Sequence, residues 1–245
     1  MNTDRHFLVI PAFRSLSLPR LLALLGCFAA SLCPAFGESA PTGRQPELNV
    51  RFAVFAAQPV GALAYAAGTG QAERKLALRF YPSARSPRYE YRGPAPLRFY
   101  DAKSGDVVAE ADIPAGVAEP LLIFSPQPAG ATGGLRYFVY VFDDAASRYG
   151  AGKLLVLNFT GMRLAGTVGS RKVALQDGPN GPFDIGGGAA VQFRTEFKKR
   201  SYRAYGGTVE AGRSERALLL LLPPFYKGSL EVQSRLLVEE LTAPR

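Results

Sequence analysis

From residue 38 onward this sequence has no cysteine, no histidine and no tryptophan: Cys27, Cys33 and His6, its only residues of the first two types, all lie earlier. Disulfides, thiolate nucleophiles, histidine bases and Cys/His zinc sites are therefore closed to that part of the chain. Sustained helical periodicity is nearly missing, and no short-period repeat is visible. A membrane-length apolar run is missing too. The stretch 21–33 covers roughly thirteen residues before Pro34, against about 20 for a spanning helix.

What stands at the N-terminus has the three parts of a secretory signal: Arg5, Arg14 and Arg20, then the apolar stretch, then the small-residue site Ala35-Phe36-Gly37 before Glu38. A signal peptide over residues 1–37 predicts an extracytoplasmic protein, periplasmic or secreted, with no transmembrane segment in the mature chain. The alternative takes Leu24-Leu25-Gly26-Cys27 as a lipoprotein site anchored through Cys27. The apolar residues from Phe28 to Phe36 stand against it, because a polar tether belongs there. Residues 1–37 hold three of the 29 basic and one of the 20 acidic residues, so the remainder carries a formal charge of +7. Such a balance predicts attraction to an anionic envelope glycan, a lipid or an acidic protein, while serving solubility equally well. Nothing in the pattern points to nucleic acid.

Period-two alternation dominates. In 48–55, Leu48, Val50, Phe52 and Val54 share one face, and Leu76, Leu78 and Phe80 repeat the pattern. Further strands are expected at 88–92, 97–101, 106–112, 120–125 and 135–142, then at 153–160, 163–168, 171–175, 182–185, 189–197, 202–210, 215–222 and 229–236. Gly169-Ser170 predicts a type II′ hairpin turn. The run 217–222 predicts a central strand covered on both faces and stopped by Pro223-Pro224. Two sets of seven or eight short strands predict an all-β chain of two tandem immunoglobulin-like β-sandwiches, over 38–143 and 153–245, with a junction at 144–152. One larger sandwich is the alternative.

The block FDDAASRYGAGKLLVLNFTG, from Phe142 to Gly161, resembles a stretch in uncharacterised exported bacterial β-sandwich proteins. The resemblance spans about twenty residues at the expected junction and implies fold and location alone, with no site to transfer.

Two basic-aromatic segments are the candidate anion-binding surfaces. The first offers Arg79, Arg85, Arg88, Arg92 and Arg98 with Tyr81, Tyr89 and Tyr91. The second offers Arg194, Lys198, Lys199, Arg200 and Arg203 with Tyr202 and Tyr205, its Lys198-Lys199-Arg200 topping a hairpin. Exposed arginine makes bidentate contacts to carboxylate or phosphate, and tyrosine supplies flat contact area at low entropic cost. Plain alternation, aromatics inward and arginines outward, explains the same residues. Gly186-Gly187-Gly188 could form an anion nest, but it lacks the Lys and Ser/Thr of a nucleotide loop, and Gly68-Thr69-Gly70 fails likewise. Asp143-Asp144 is the adjacent carboxylate pair. Neighbours on a strand point to opposite faces, so it is expected to cap or solvate the junction. The expectation is a non-catalytic exported module that binds or organises envelope components, with no cofactor, metal site or catalytic residue. The alternatives are a carboxylate-based glycan-active enzyme, with Asp184, Glu196 and Glu210 as further carboxylates, and a pilus-chaperone-like assembly protein that offers a strand edge.

Overall fold

The computed structural model of the chain describes residues 47–68, 74–127 and 134–241. The signal-like segment, with His6, Cys27, Cys33 and Gly37, and the dipeptide Thr69-Gly70 lie outside the described residues. Among the described residues there are sixteen strands and no helix, hence none long and apolar enough to cross a membrane.

The first eight strands are β1 (Glu47–Ala56), β2 (Leu63–Ala67), β3 (Arg74–Ala77), β4 (Tyr89–Pro94), β5 (Leu97–Asp101), β6 (Val107–Ala111), β7 (Pro120–Pro126) and β8 (Tyr137–Asp143). They form two four-stranded sheets, ordered β4-β1-β7-β8 and β3-β2-β5-β6. Between these sheets lies one core, built from the alternate residues Val50, Phe52 and Val54 of β1, Leu63 and Tyr65 of β2, Leu97 and Phe99 of β5, and Leu122 and Phe124 of β7. This is the period-two pattern turned into burial.

The second eight are β9 (Lys153–Asn158), β10 (Leu164–Val168), β11 (Arg171–Leu175), β12 (Gly178–Asp184), β13 (Gly188–Phe197), β14 (Arg200–Glu210), β15 (Glu215–Leu222) and β16 (Gln233–Glu240). Their sheets are ordered β12-β9-β15-β16 and β11-β10-β13-β14, around a second core of Leu154, Val156, Leu164, Phe193, Leu219 and Leu221 among others. The tandem sandwiches expected from the alternation are what these sheets form.

The two halves repeat one topology strand for strand, each strand answering to the one eight places later. In both, the first strand of the half pairs parallel with the seventh and antiparallel with the fourth. The register carries through: Val54 pairs with Leu122 as Val156 pairs with Leu219, and Leu122 with Val141 as Leu219 with Leu236. Even the loop contacts recur. The Arg136 N–H donates to the Val108 carbonyl, and the Val232 N–H to the Ala204 carbonyl, each sealing an outer-sheet edge just before the last strand of its half.

A third core joins the halves. Ala53, Phe55, Leu121, Ile123 and Phe142 from the back of one inner sheet meet Leu155, Leu157, Leu218, Leu220 and Leu237 from the back of the other. This accounts for the apolar run in β15: Ala217, Leu219 and Leu221 face the second core while Leu218 and Leu220 face the joint, so both sides are covered.

Local differences from the expected elements have physical reasons. The alternation at 76–80 forms a strand only to Ala77, with Leu76 43% exposed, while Leu78 and Phe80 turn into the core beyond the ladder. Strand β16 begins at Gln233 rather than 229, because Val232 is used to seal β14. Gly169 has φ +57° and Ser170 is not in the left-handed region, which fits the type II′ turn closing β10 on β11.

Candidate functional site

The central strands of the joint run from a charged end to an open end. At the charged end, Asp144 follows β8 with no exposed surface. Its carboxylate accepts from Arg85 Nε at 2.8 Å and Nη2 at 3.1 Å, and from the Tyr149 hydroxyl at 2.7 Å. Arg216, fully buried at the start of β15, donates to the Asp144 carbonyl at 3.0 Å and, through Nε, to Glu239 of β16 at 2.8 Å. Its guanidinium stacks 4.5 Å from the Tyr149 ring centroid. Burial alone would lower the Arg85 pKa, but the charge of Asp144, aided by Tyr149 and Glu239, holds it above the ordinary arginine value. Burial also pushes the Tyr149 phenol up. Asp144 therefore does not cap a solvated turn: it is the shared acceptor of a buried network that fastens one half to the other. Its neighbour Asp143 points elsewhere and pairs with Arg148 at 2.9 Å.

At the open end, where β1, β7 and β15 finish, lies a pocket of about 710 Å3. Its lining comes from both halves: Pro126, Phe138 and Tyr140 from the first, and Phe159, Pro223 and Phe225 from the second, with Gln58, Gln233 and Arg235. The repeated topology makes several of these equivalent. Tyr140 pairs with Ile123 as Arg235 pairs with Leu220, so Tyr140 answers to Arg235, and by the same register Phe138 answers to Gln233 and Ala57 to Phe159. Their contacts are reciprocal. The Tyr140 and Phe159 rings meet edge to face with centroids 4.7 Å apart, while Arg235 Nη2 approaches the Ala57 carbonyl at 3.4 Å. One flank of an approximate two-fold is thus aromatic and the other polar. Phe138, at 58% exposure, and Phe225 and Tyr226, at 73% each, stand at this end. Burial raises the Tyr140 pKa.

The candidates expected from sequence fall elsewhere. Arg88, Tyr89, Tyr91 and Arg92 come together, with Arg51 and Tyr65, around a cavity of about 720 Å3 on the β4 side of the first sandwich. The tyrosines turn inward there. Tyr89 packs on Phe52 and Tyr65, and Tyr91 is buried with its hydroxyl donating to the Pro94 carbonyl. The cations are engaged: Arg92 with Glu47 at 2.9 Å, Arg51 with Glu119 at 3.7 Å, and Arg88 within 4.0 Å of Glu119, Asp144 and Glu239. Arg85 belongs to the buried network. Arg98 pairs with Glu110, Arg79 is exposed with its backbone N–H on the Tyr89 hydroxyl, and Tyr81 is exposed.

In the second segment Arg194 bonds Ser201, while Arg200, Tyr202 and Arg203 are exposed along β14. Tyr205 is half-buried against Phe193, and burial raises its pKa. Lys198 and Lys199 form the two-residue tip between Phe197 and Arg200, both in the left-handed region at φ +49° and +62°. The two segments stand on different sandwiches. The glycine loop directs its N–H groups to its own fold rather than outward: Gly186 to Gly152, and Gly187 and Gly188 to the Ile185 carbonyl. Of the further carboxylates, Asp184 pairs with Lys153, while Glu196 and Glu210 are exposed.

The joint pocket escaped the reading by alternation because its residues lie on the faces that reading assigned to solvent. The signal was there in β8, whose sequence YFVYVFD carries aromatic residues on both faces. A strand with two apolar faces is covered on both. Together these features define a class: a tandem β-sandwich protein with a ligand-sized cavity at the join. No family model matches the chain, and no curated protein is significantly similar to it.

Proposed function

We propose that this chain is an extracytoplasmic, non-catalytic binding module of the cell envelope, and that its ligand enters the pocket between the two sandwiches. The observation that carries the reading is the pocket's construction: a concave aromatic site of ligand-accommodating size, contributed by both halves, where binding sites preferentially form. The signal-like N-terminus supports export. Of the carboxylates weighed for glycan hydrolysis, Asp144 is bound to arginine and has no exposed surface for a sugar to reach. The neutral dye N-phenyl-1-naphthylamine tests the site. Its fluorescence should rise with the whole chain, and the paired change Phe138→Asp and Phe225→Asp should abolish the rise with little change in Tm, since both side chains are exposed. An undiminished rise in that variant would remove the pocket from consideration.

A second reading places an anionic partner, such as an acidic glycan, on the basic-aromatic surfaces, supported by the gathering of Arg88, Arg92, Tyr89 and Tyr91 around one cavity. Retention on an acidic-glycan column should then weaken between 0.1 M and 1 M salt, as the Debye length falls from about 10 Å to about 3 Å. Changing Lys198, Lys199 and Arg200 to Glu should weaken it further. Retention that ignores both changes would leave the charge without a part in recognition.

A further inference from the structure

The joint pocket has one charged lining side chain among the described residues, Arg235, and its position decides what kind of molecule suits the site. The Arg235 guanidinium donates to two backbone carbonyls, of Ser234 at 2.8 Å and Ala57 at 3.4 Å, and no described carboxylate lies within ion-pair distance. This sets it apart from Arg85, Arg88, Arg92, Arg98, Arg136, Arg148 and Arg216, each of which has a carboxylate within 4.0 Å. A guanidinium carries five N–H donors, so several remain after the two carbonyls are served. Gln233 stands two residues from Arg235 along β16, on the same face of the strand, whereas the equivalent flank is made of Phe138, Tyr140 and Phe159. One wall is therefore apolar and aromatic, and the other is polar with an uncompensated positive charge.

Each wall weakens the binding of one class of ligand without abolishing it. A wholly apolar ligand would leave the Arg235 donors facing hydrocarbon, which is costly. A compact inorganic anion would leave the aromatic wall and the exposed Phe225 ring uncovered. A molecule with both features satisfies both walls, and a carboxylate meets a guanidinium in a bidentate, charge-assisted fork. We infer that the pocket binds a single-chain amphipathic carboxylate, its head on Arg235 and its apolar chain along Phe138, Tyr140 and Phe159, taken up as a monomer from solution. The inference rests on the pocket being the ligand site, and it adds the chemistry of the ligand and the residue that selects it.

The test uses the whole chain and two probes of equal chain length, a medium-chain fatty acid and the corresponding alcohol, titrated calorimetrically below their aggregation concentrations. The acid is expected to bind roughly tenfold tighter than the alcohol. Arg235→Gln should bring the acid down to the alcohol's affinity while leaving the alcohol's unchanged, and Arg235→Lys should restore part of the difference. The unchanged alcohol affinity shows that the pocket itself survives the substitution. Equal binding of acid and alcohol to the unmodified chain would overturn the carboxylate assignment and leave the pocket reading standing. Binding of neither probe, together with a naphthylamine signal indifferent to Phe138→Asp and Phe225→Asp, would remove the pocket reading as well. Uptake of the acid only from vesicles would overturn the monomeric source.

Discussion

Gly166 shows how closely two strands can be tied to a single residue. Where β10 passes β13, a Cβ on this glycine would stand 1.8 Å from the Gln192 carbonyl oxygen, and the obstacle is backbone, which cannot swing aside. Gly166→Ala should therefore cost on the order of 3 kcal/mol or more in urea unfolding, as strain does in a packed sheet. Gly187, with nothing within 4 Å of its would-be Cβ and no positive φ, is the control: its alanine variant should be neutral or slightly more stable. Asp101 links a turn to pH. The N–H of Ser104, the Arg136 guanidinium and the N–H of Lys103 hold its carboxyl down, to about 2 from an ordinary 3.8. A depressed folded pKa means that the ionised group contributes stability fully above the ordinary value, and that this is lost as pH falls through about 2. Thermal melts of the unmodified chain and of Asp101→Asn should accordingly differ at pH 5 and converge near pH 2. Asp144 acts on a larger scale. Its change to Ala would take from the buried Arg85 its bidentate carboxylate and leave Arg85 and Arg216 to share Glu239, and a loss of about 3 kcal/mol is expected in equilibrium unfolding.

Among the elements, the β13–β14 hairpin departs from the preferences of its own turn residues. A two-residue tip with both residues in the left-handed region is the type I′ geometry, which Asn-Gly adopts readily and Lys-Lys does not. Replacing Lys198-Lys199 by Asn-Gly should raise stability by about 1–2 kcal/mol, visible as a higher Tm. An unchanged or lower Tm would mean that the lysines are held there by contacts worth as much as the backbone strain. Most elements could be read in advance from their patterning: β5 and β11 fall on the residues expected from alternation, and β15 on those expected from its continuous apolar run and the prolines that stop it. Strand β2 could not, since LAYAA offers little β-branching and only Leu63 and Tyr65 to mark a face. The limits of β12 also shifted, to Gly178, through a stretch holding Pro179, Gly181 and Pro182, residues that ordinarily signal a turn. Of the candidate site, the basic-aromatic residues were legible and the pocket was not. A cavity at a joint depends on how two sheets meet, and single-strand patterning reports a face as apolar without saying what covers it.

For the whole molecule, the third core governs cooperativity. Phe55, Leu121, Leu218 and Leu220 are fully buried only because the inner sheets meet back to back. Either half alone would expose a contiguous apolar face of the kind that drives association. Calorimetry should therefore record one unfolding transition for both sandwiches, and Leu220→Asp, which places a charge in the joint, should lower its temperature sharply. Two separate transitions in the unmodified chain would mean that each sandwich stands by itself. The charged network and the pocket bracket this core, so Asp144→Ala and ligand occupancy should shift the same transition in opposite directions.

The repeated topology also bears on the symmetry of the pocket. Two bodies of one topology that meet through the same strands on each side have the geometry of an isologous pair carried on a single chain. In a pair of separate identical subunits, the positions now held by Tyr140 and Arg235 would be one residue counted twice, and so would those of Asp144 and Glu239. A symmetric dimer can offer its ligand only two equal walls. On a single chain each half carries its own side chains, and the pocket acquires a head and a tail. The polarity of the pocket comes from equivalent positions that hold unlike residues, Tyr140 against Arg235 and Phe138 against Gln233, so evening out its two walls would take a change at each of them.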